Sequence, residues 1–268
     1  MNLFVITKIE GIILSKIPFD DRHLICHVLL RNGKKISVMF YGGRGGGAKQ
    51  KSSILELGYL IQMELRPTRS TKDMFQAKEW NLSWHHDEIR KDFRAFALLC
   101  FYLELIHKLS PDDNLHDPHW AENAEMVGLF RVLSNAIVYL EKSLKDKRCF
   151  PVAQSAIFLS KLLIEQGLFP EREHCCLCGE ELVKFNDMHL YPDEGGFACP
   201  PCMNVRFKHG LQSGRELWEI MGHAANSRYQ DIEPLQIEFK SIPAMLFNYL
   251  CFQYHFNTED FKTKSSVF

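Results

Sequence analysis

Residues 174–202 read HCCLCGEELVKFNDMHLYPDEGGFACPPC, and this stretch decides how the rest of the chain is organised. It holds Cys175-x-x-Cys178 and Cys199-x-x-Cys202 with twenty residues between the pairs, the arrangement that offers four thiolates to one tetrahedral zinc ion. Two residues between the ligands of a pair let the backbone wrap the ion, and Gly179 after Cys178 accommodates the tight turn. So small a segment cannot fold on burial alone, whereas structural zinc contributes about 10–16 kcal/mol to such elements. Four sulfur ligands leave no open position for water, so the Zn2+ is expected to be structural and not catalytic. Cys176 stands beside Cys175 and could face the metal in its place, and His174 and His189 are further candidates; the spacing favours Cys175.

On both sides of this stretch apolar residues recur at helical spacing. Phe93, Phe96, Ala97, Cys100, Phe101 and Leu105 share one face of a first helix, and Met126, Leu129, Phe130, Leu133, Ile137, Leu140 and Leu144 share one face of a second. A third helix starts near Pro151, runs through Ala156, Ile157, Leu159, Leu162, Leu163 and Ile164, and stops around Gly167 and Pro170. Its near-continuous apolar character marks it as a buried central helix. Helical character returns from Ser213 to Ala225 and from Pro243 to Phe256. The cysteine segment, with a short strand-like run from Met188 to Tyr191, is therefore an insert within a helical domain.

Nearer the N-terminus the period changes. From Phe4 to Leu82 short apolar and β-branched runs alternate with turn residues, as in a small all-β unit. Arg31-Asn32-Gly33-Lys34 contains an Asn-Gly pair, a strong hairpin signal because both residues tolerate positive φ. Five or six strands in about 80 residues suggest a closed barrel of OB-fold or SH3-like type. The fold class is thus α+β and multidomain: residues 1–82 a β-barrel whose type the strand count leaves open and which is a candidate nucleic-acid-binding unit, 83–170 the first part of a helical domain, 171–210 the zinc-binding insert, and 211–268 the second part of the helical domain.

The 268 residues, 46% of them hydrophobic, suffice for about two such units. No run approaches the roughly 20 uninterrupted apolar residues of a membrane span, and no signal peptide is read at the start. Nine cysteines, an odd number with four in CxxC pairs, point to a reducing cytoplasm and a metal, not a disulfide scaffold. The net charge of -1 hides an asymmetry. Up to Trp80 there are 13 Lys and Arg against 7 Asp and Glu, and the remainder has 19 against 26. A positive barrel is a candidate polyanion surface, since each phosphate neutralised releases counterions.

The residues around the zinc motif carry a resemblance. Gln166-Gly167-Leu168-Phe169-Pro170, Cys175-Cys176-Leu177-Cys178-Gly179 and Gly195-Gly196-Phe197-Ala198-Cys199-Pro200-Pro201-Cys202 resemble the zinc region of the RecO family of recombination mediators. Glu10-Gly11-Ile12-Ile13-Leu14-Ser15, Phe19-Asp20-Asp21-Arg22, Gly33-Lys34 and Gly43-Arg44 follow the order of that family's N-terminal barrel, so the resemblance covers essentially the whole chain. It implies an OB-fold, a helical domain with embedded zinc, and no catalytic residues. It further implies work on DNA: binding single and double strands, annealing complementary strands, and helping to load RecA on strands coated by single-stranded-DNA-binding protein. Implied partners are RecR, the C-terminal tail of single-stranded-DNA-binding protein and, in many organisms, RecF, in a nucleoid-associated cytoplasmic setting.

Candidate DNA contacts are Arg22, Lys34, Lys35, Arg44, Lys49, Lys51, Arg66, Arg69 and Lys72, most of them in loops where OB-folds often grip strands. Glycines at 42, 43, 45, 46 and 47 would let the backbone approach phosphates. Phe19, Tyr41 and Phe75 are candidate stacking platforms or parts of the barrel core. The C-terminal helices, with Lys240, Lys262 and Lys264, are a candidate dock for the acidic partner tail. Gly42 and Gly47 have the glycine spacing of a P-loop, but Ala48 and Lys49 stand where its Lys and Ser/Thr belong, so the cradle lacks its cation and magnesium ligand. His85-His86-Asp87 and His116-Asp117 lack an accompanying nucleophile and read as linker residues. A zinc-containing transcription or RNA-binding factor is the alternative function.

Overall fold

The computed structural model describes residues 7–43, 54–67, 74–113, 128–203, 214–232, 237 and 241–268. Expectations for Arg44, Lys49, Lys51, Arg69, Lys72, His116, Asp117 and Lys240, and for the glycines at 45–47, lie outside these residues. The chain separates into two compact units, Met1–Leu144 and Lys145–Phe268.

The first unit begins with five strands: β1 (Thr7–Phe19), β2 (His23–Leu30), β3 (Lys35–Phe40), β4 (Leu60–Pro67) and β5 (Met74–Trp84). They close into a barrel in the order β1-β2-β3-β5-β4, with a parallel seam between β3 and β5 and antiparallel pairing elsewhere. This order is that of an OB-fold, which resolves the choice of barrel left open by the strand count. Long β1 serves two neighbours, pairing with β4 from Thr7 to Ile12 and with β2 from Gly11 to Phe19. Gly11 sits where the two pairings overlap. A Cβ there would lie 2.4 Å from Val28 Cγ1 and 2.7 Å from the Leu29 carbonyl oxygen, so only glycine lets the strands approach this closely. Residues such as Ile13, Cys26, Val28, Val38, Phe40, Ile61 and Met63 fill the interior; burial alternates along the first part of β2 and β3, as the two-residue strand period requires, and the last three residues of each strand are buried on both faces.

The hairpin at Arg31–Lys34 forms with different chemistry from a two-residue Asn-Gly turn. Only Gly33 takes positive φ (79°), and the Asn32 side chain accepts the Lys34 N–H at 3.1 Å. With four residues between Leu30 and Lys35 the loop needs only one left-handed position.

Among the described residues the barrel is followed in this unit by two α-helices, α1 (Phe93–Leu109) and α2 (Gly128–Lys145). Asp92 caps α1 by accepting the Ala95 N–H at 2.9 Å. At its other end Lys35 donates to the His107 carbonyl at 2.9 Å, a cation at the negative end of the helix, while residues 111–113 pair alongside Lys35. The linker entering α1 is held by Glu141 of α2. This carboxylate is almost wholly buried and accepts the backbone N–H groups of Asp87, Glu88 and Ile89 at 3.0–3.2 Å.

In the second unit α3 (Pro151–Glu165) is the central helix, with Pro151 in its first turn and Ala156 to Leu159, Leu162 and Leu163 buried. It packs against α5 (Gly214–Asn226) and α6 (Ile242–Gln253). Between α3 and α5 stands the cysteine segment. It contains a two-stranded hairpin of β6 (His189–Tyr191) and β7 (Gly196–Ala198), followed by the single-turn α4 (Pro200–Met203). Among the described residues no helix is long and apolar enough to cross a membrane.

Candidate metal centre and nucleic-acid face

The first cysteine pair lies on a tight loop. Gly179 donates its N–H to the Cys175 carbonyl at 2.9 Å in the left-handed conformation (φ 79°), and Cys175 donates to the Glu180 carbonyl at 2.7 Å. A strand-like pairing of Glu171 with Gly196, and a bond from the Cys176 N–H to the Phe197 carbonyl at 2.9 Å, bring this loop beside β7. The second pair follows β7 directly, where the Cys202 N–H closes a turn on the Cys199 carbonyl at 3.1 Å. The result is one cluster: the Sγ atoms of Cys175, Cys178, Cys199 and Cys202 all lie within 4.8 Å of one another.

These distances suit a shared ion. Four thiolates about 2.3 Å from a tetrahedral zinc are about 3.8 Å apart, and Cys178 Sγ lies 3.6 Å from Cys199 Sγ, far beyond a disulfide bond of about 2.05 Å. Burial opposes ionisation of Cys175, yet N–H groups of Cys199, Leu177 and Cys178 aimed at its sulfur bring its pKa down to about 6. One of these, the Cys199 N–H, is 3.3 Å from the sulfur. Cys176 is outside the cluster, and burial, then the neighbouring Cys175 charge, push its thiol up to about 11. His174 and His189 are also outside it. The four sulfurs can hold a metal ion and, with no His or carboxylate among them, leave it no substrate position.

The metal segment is seated by residues that spacing did not single out. Arg172 stacks on Trp218 of α5 at 4.1 Å, Arg215 on the same ring at 4.6 Å, and the Trp218 indole N–H donates to the Arg172 carbonyl at 2.6 Å. On the α6 side, Gln253 donates to the Pro192 carbonyl at 2.9 Å. A guanidinium–indole contact has no fixed sequence interval, so only the fold reveals it.

A second constellation lies at one end of the barrel. The register pairs Phe19 with His23 across the β1–β2 turn, and the next pair inward joins Leu24 to Phe40, which places Tyr41 beside His23. The His23 and Tyr41 rings meet edge-on with centroids 4.8 Å apart, and His23 Nδ1 accepts the Gly42 N–H at 3.0 Å, leaving Nε2 as the ring's donor. Phe19 and Tyr41 are 45% and 48% exposed, so three neighbouring strand ends carry a row of accessible rings, with exposed Arg22 in the connecting turn. His23 is not among the sequence candidates although it directly follows Phe19-Asp20-Asp21-Arg22; its place in the row depends on the strand pairing that sets it opposite Phe19. Phe75, in contrast, is interior, at 3% exposure.

The remaining cationic candidates divide. Arg66 is exposed and donates to its register partner Gln76 on the adjacent β5 at 3.2 Å. Lys35 is engaged at the end of α1, and Lys34 lies 3.5 Å from the buried Asp113 carboxylate. His85 and Asp87 face each other at 3.4 Å, while His86 is buried and bonded to the Leu57 carbonyl. In the second unit, Lys264 pairs with Glu259.

Known proteins share this arrangement of sequence. The chain is similar to the DNA repair protein RecO of Prosthecochloris aestuarii, 27% identical over 190 residues, covering 71% of this chain and 66% of that protein. Similar too are the DNA repair proteins RecO of Leptospira biflexa, 25% identical over 154 residues (58% of this chain, 55% of that protein), and of Bacillus cytotoxicus, 25% over 207 residues (76% and 71%). These similarities support the resemblance of the chain to the RecO family. The chain spans 66% and 55% of the length of the first two of these relatives. No family model matches it. For a RecO-family chain, an OB barrel followed by helices with a four-cysteine insert is the arrangement that the sequence resemblance implies, and the fold has it.

Proposed function

We propose that this chain works in DNA repair as a recombination mediator. It binds single- and double-stranded DNA through the barrel, anneals complementary strands, and helps load RecA on strands coated by single-stranded-DNA-binding protein, together with RecR and, where present, RecF. The observation that carries the reading is the row of Phe19, His23 and Tyr41 across three strand ends with Arg22 beside it. Rings stack on any base and cations hold any phosphate, so the face suits single strands without sequence preference. Arg66, and Arg44, Lys49, Lys51, Arg69 and Lys72 beyond the described residues, supply the remaining charge. Lys34 and Lys35 contribute less, because each already has a partner within the unit.

In this reading residues 1–82 are the nucleic-acid unit, 171–210 the zinc insert, and the helices on either side the partner-binding domain. The ion held by Cys175, Cys178, Cys199 and Cys202 is zinc, and its work is structural. No catalytic residue is assigned, and the protein acts at the nucleoid. The acidic tail of single-stranded-DNA-binding protein would dock near Lys262 and Lys264.

The alternative, a zinc-containing transcription or RNA-binding factor, would share the positive barrel, but contact with nucleic acid through the zinc lobe fits the charge poorly. Residues 171–203 carry seven acidic against two basic side chains, and zinc bound by four thiolates adds further negative charge. Such a lobe repels phosphates. Annealing of complementary oligonucleotides tests the proposal. The chain should accelerate it, and Phe19→Ala/Tyr41→Ala should remove most of the acceleration. DNA binding without any acceleration would refute the mediator role, and tighter binding to RNA than to DNA would favour the alternative.

A further inference from the structure

The four cysteines of the metal cluster differ in what surrounds them. Cys175 and Cys199 are interior, at 3% and 1% exposure, whereas Cys202 is half-buried and Cys178 is exposed. Cys178 lies at the tip of its loop, and the tip is clear of neighbours: a Cβ built on the next residue, Gly179, would meet nothing within 4 Å. Of the four, Cys178 is therefore the one that a solute reaches first. Cysteine oxidation follows access and thiolate character, and a thiol that coordinates a metal is already deprotonated.

A second sulfur stands behind it, Cys199 Sγ at 3.6 Å from Cys178 Sγ. Cys175 belongs to the same CxxC pair as Cys178 but is the poorer nucleophile. Backbone N–H groups of Cys199, Leu177 and Cys178 already point at its sulfur, whereas Cys199 receives one, from Cys202. An accessible thiolate beside a resolving one is the arrangement of a redox-sensitive pair. Charge decides the class of oxidant. Residues 171–203 carry seven acidic against two basic side chains, and Glu180 and Glu181, just past the loop tip, share Lys184 as partner at 3.3 and 3.5 Å. Such a lobe slows anionic oxidants and leaves a small uncharged peroxide unhindered.

We infer that hydrogen peroxide oxidises Cys178 and that Cys199 resolves it, exchanging the metal for a Cys178–Cys199 disulfide; this rests on the zinc reading above. In the first step the Cys178 thiolate attacks one peroxide oxygen. An S–O bond forms, the O–O bond breaks and hydroxide leaves, giving a sulfenic acid. In the second step the Cys199 thiolate attacks the Cys178 sulfur, an S–S bond forms, and the S–O bond breaks with loss of a second hydroxide. The two sulfurs together give up two electrons, one peroxide is reduced, and two protons from solvent complete two waters. Cys175 and Cys202 alone cannot enclose a tetrahedral ion, so the zinc leaves. The new bond still joins the Cys178 loop to the end of β7, and the lobe stays closed without its metal.

The full chain, carrying zinc as purified, is treated with hydrogen peroxide. A chromophoric chelator reads the zinc set free, and tryptic digestion with mass spectrometry, without reduction, reads the disulfide. Release of about one zinc per chain should keep pace with a link between peptides 173–184 and 185–206, placed by fragmentation at Cys178 and Cys199. Dithiothreitol with added zinc should reverse both. Cys176→Ser should release zinc within about twofold of the unmodified rate, since Cys176 lies outside the cluster. Oxidised glutathione, an anionic disulfide, should release it at least about tenfold more slowly at equal concentration. Zinc retained under peroxide, a link from Cys178 to any cysteine other than Cys199, or faster release by oxidised glutathione would overturn the inference while leaving the zinc site intact. A chain that holds no zinc before treatment would remove the zinc reading itself, and this site with it.

Discussion

Replacing Glu141 should destabilise the first unit more than replacing any exposed acid. Its carboxylate accepts N–H groups from three successive residues, Asp87, Glu88 and Ile89, at the point where the chain leaves the barrel and turns toward α1. Hydrogen bonds to a charged acceptor contribute about 1.5–3 kcal/mol each, but the N–H groups of Asp87 and Glu88 regain water when the acceptor is lost. Ile89 is fully buried and its N–H does not. With the cavity left by the side chain, Glu141→Ala should cost about 3–4 kcal/mol. Glu141→Gln keeps one acceptor oxygen but turns an NH2 toward the donors, and should cost about 1–2 kcal/mol. Urea unfolding followed by tryptophan fluorescence reads this unit through Trp80 and Trp84 on β5. Losses below about 0.5 kcal/mol for both variants, the range of ordinary surface substitutions, would refute the reasoning.

Three further outcomes follow from the same physics. Gly11→Ala should cost about 1–3 kcal/mol by forcing β1 from β2, measured by the shift in urea midpoint; an unchanged midpoint would mean the strands have room to spare. The His27 and His107 rings meet at a tilt with centroids 4.6 Å apart; burial, then each ring's charged neighbours including Lys35, lower both pKa values, His107 to about 4. A histidine pKa depressed by folding stabilises the fold at high pH, and that stability is lost as pH falls from about 6.5 toward 4. Discounted for partial exposure, His107 should account for about 2 kcal/mol, seen as a flatter acid limb in His107→Phe than in the unmodified chain. Chelation of the metal, or Cys175→Ser/Cys199→Ser, should abolish the cooperative melting of the second unit and release one zinc per chain; an unaltered melt with undiminished zinc would contradict the site.

The parts of the fold that were legible in the sequence are those encoded in short periods. Alternation in His23–Leu30 and Lys35–Phe40 marks strands, the run from Pro151 to Glu165 marks a buried helix, and two CxxC pairs mark the metal cluster. Each signal needs only neighbours a few residues apart, and the cysteines converge because their two loops lie side by side at β7. Features that depend on distant partners were not legible. Helical periodicity collects Phe93 and Phe96 with true core residues because it identifies an apolar face without telling which face is covered. Lys34 and Lys35 read as free cations until residues 107–113 return to meet them. The carboxylate of Glu141, the Arg172–Trp218–Arg215 stack and the pairing of His23 with Tyr41 likewise exist only once the chain is folded.

The account stands on the barrel end as a sequence-independent grip for single strands. The direct measurement is the affinity of the full chain for a single-stranded oligonucleotide as a function of salt, with and without Phe19→Ala/Tyr41→Ala/Arg22→Ala. Affinity should fall with salt at a log–log slope of about -0.7 for each phosphate engaged, and the triple replacement should weaken binding at least tenfold while leaving the melting temperature in place. Salt-independent binding, or a triple variant that binds as well as the unmodified chain, would contradict it.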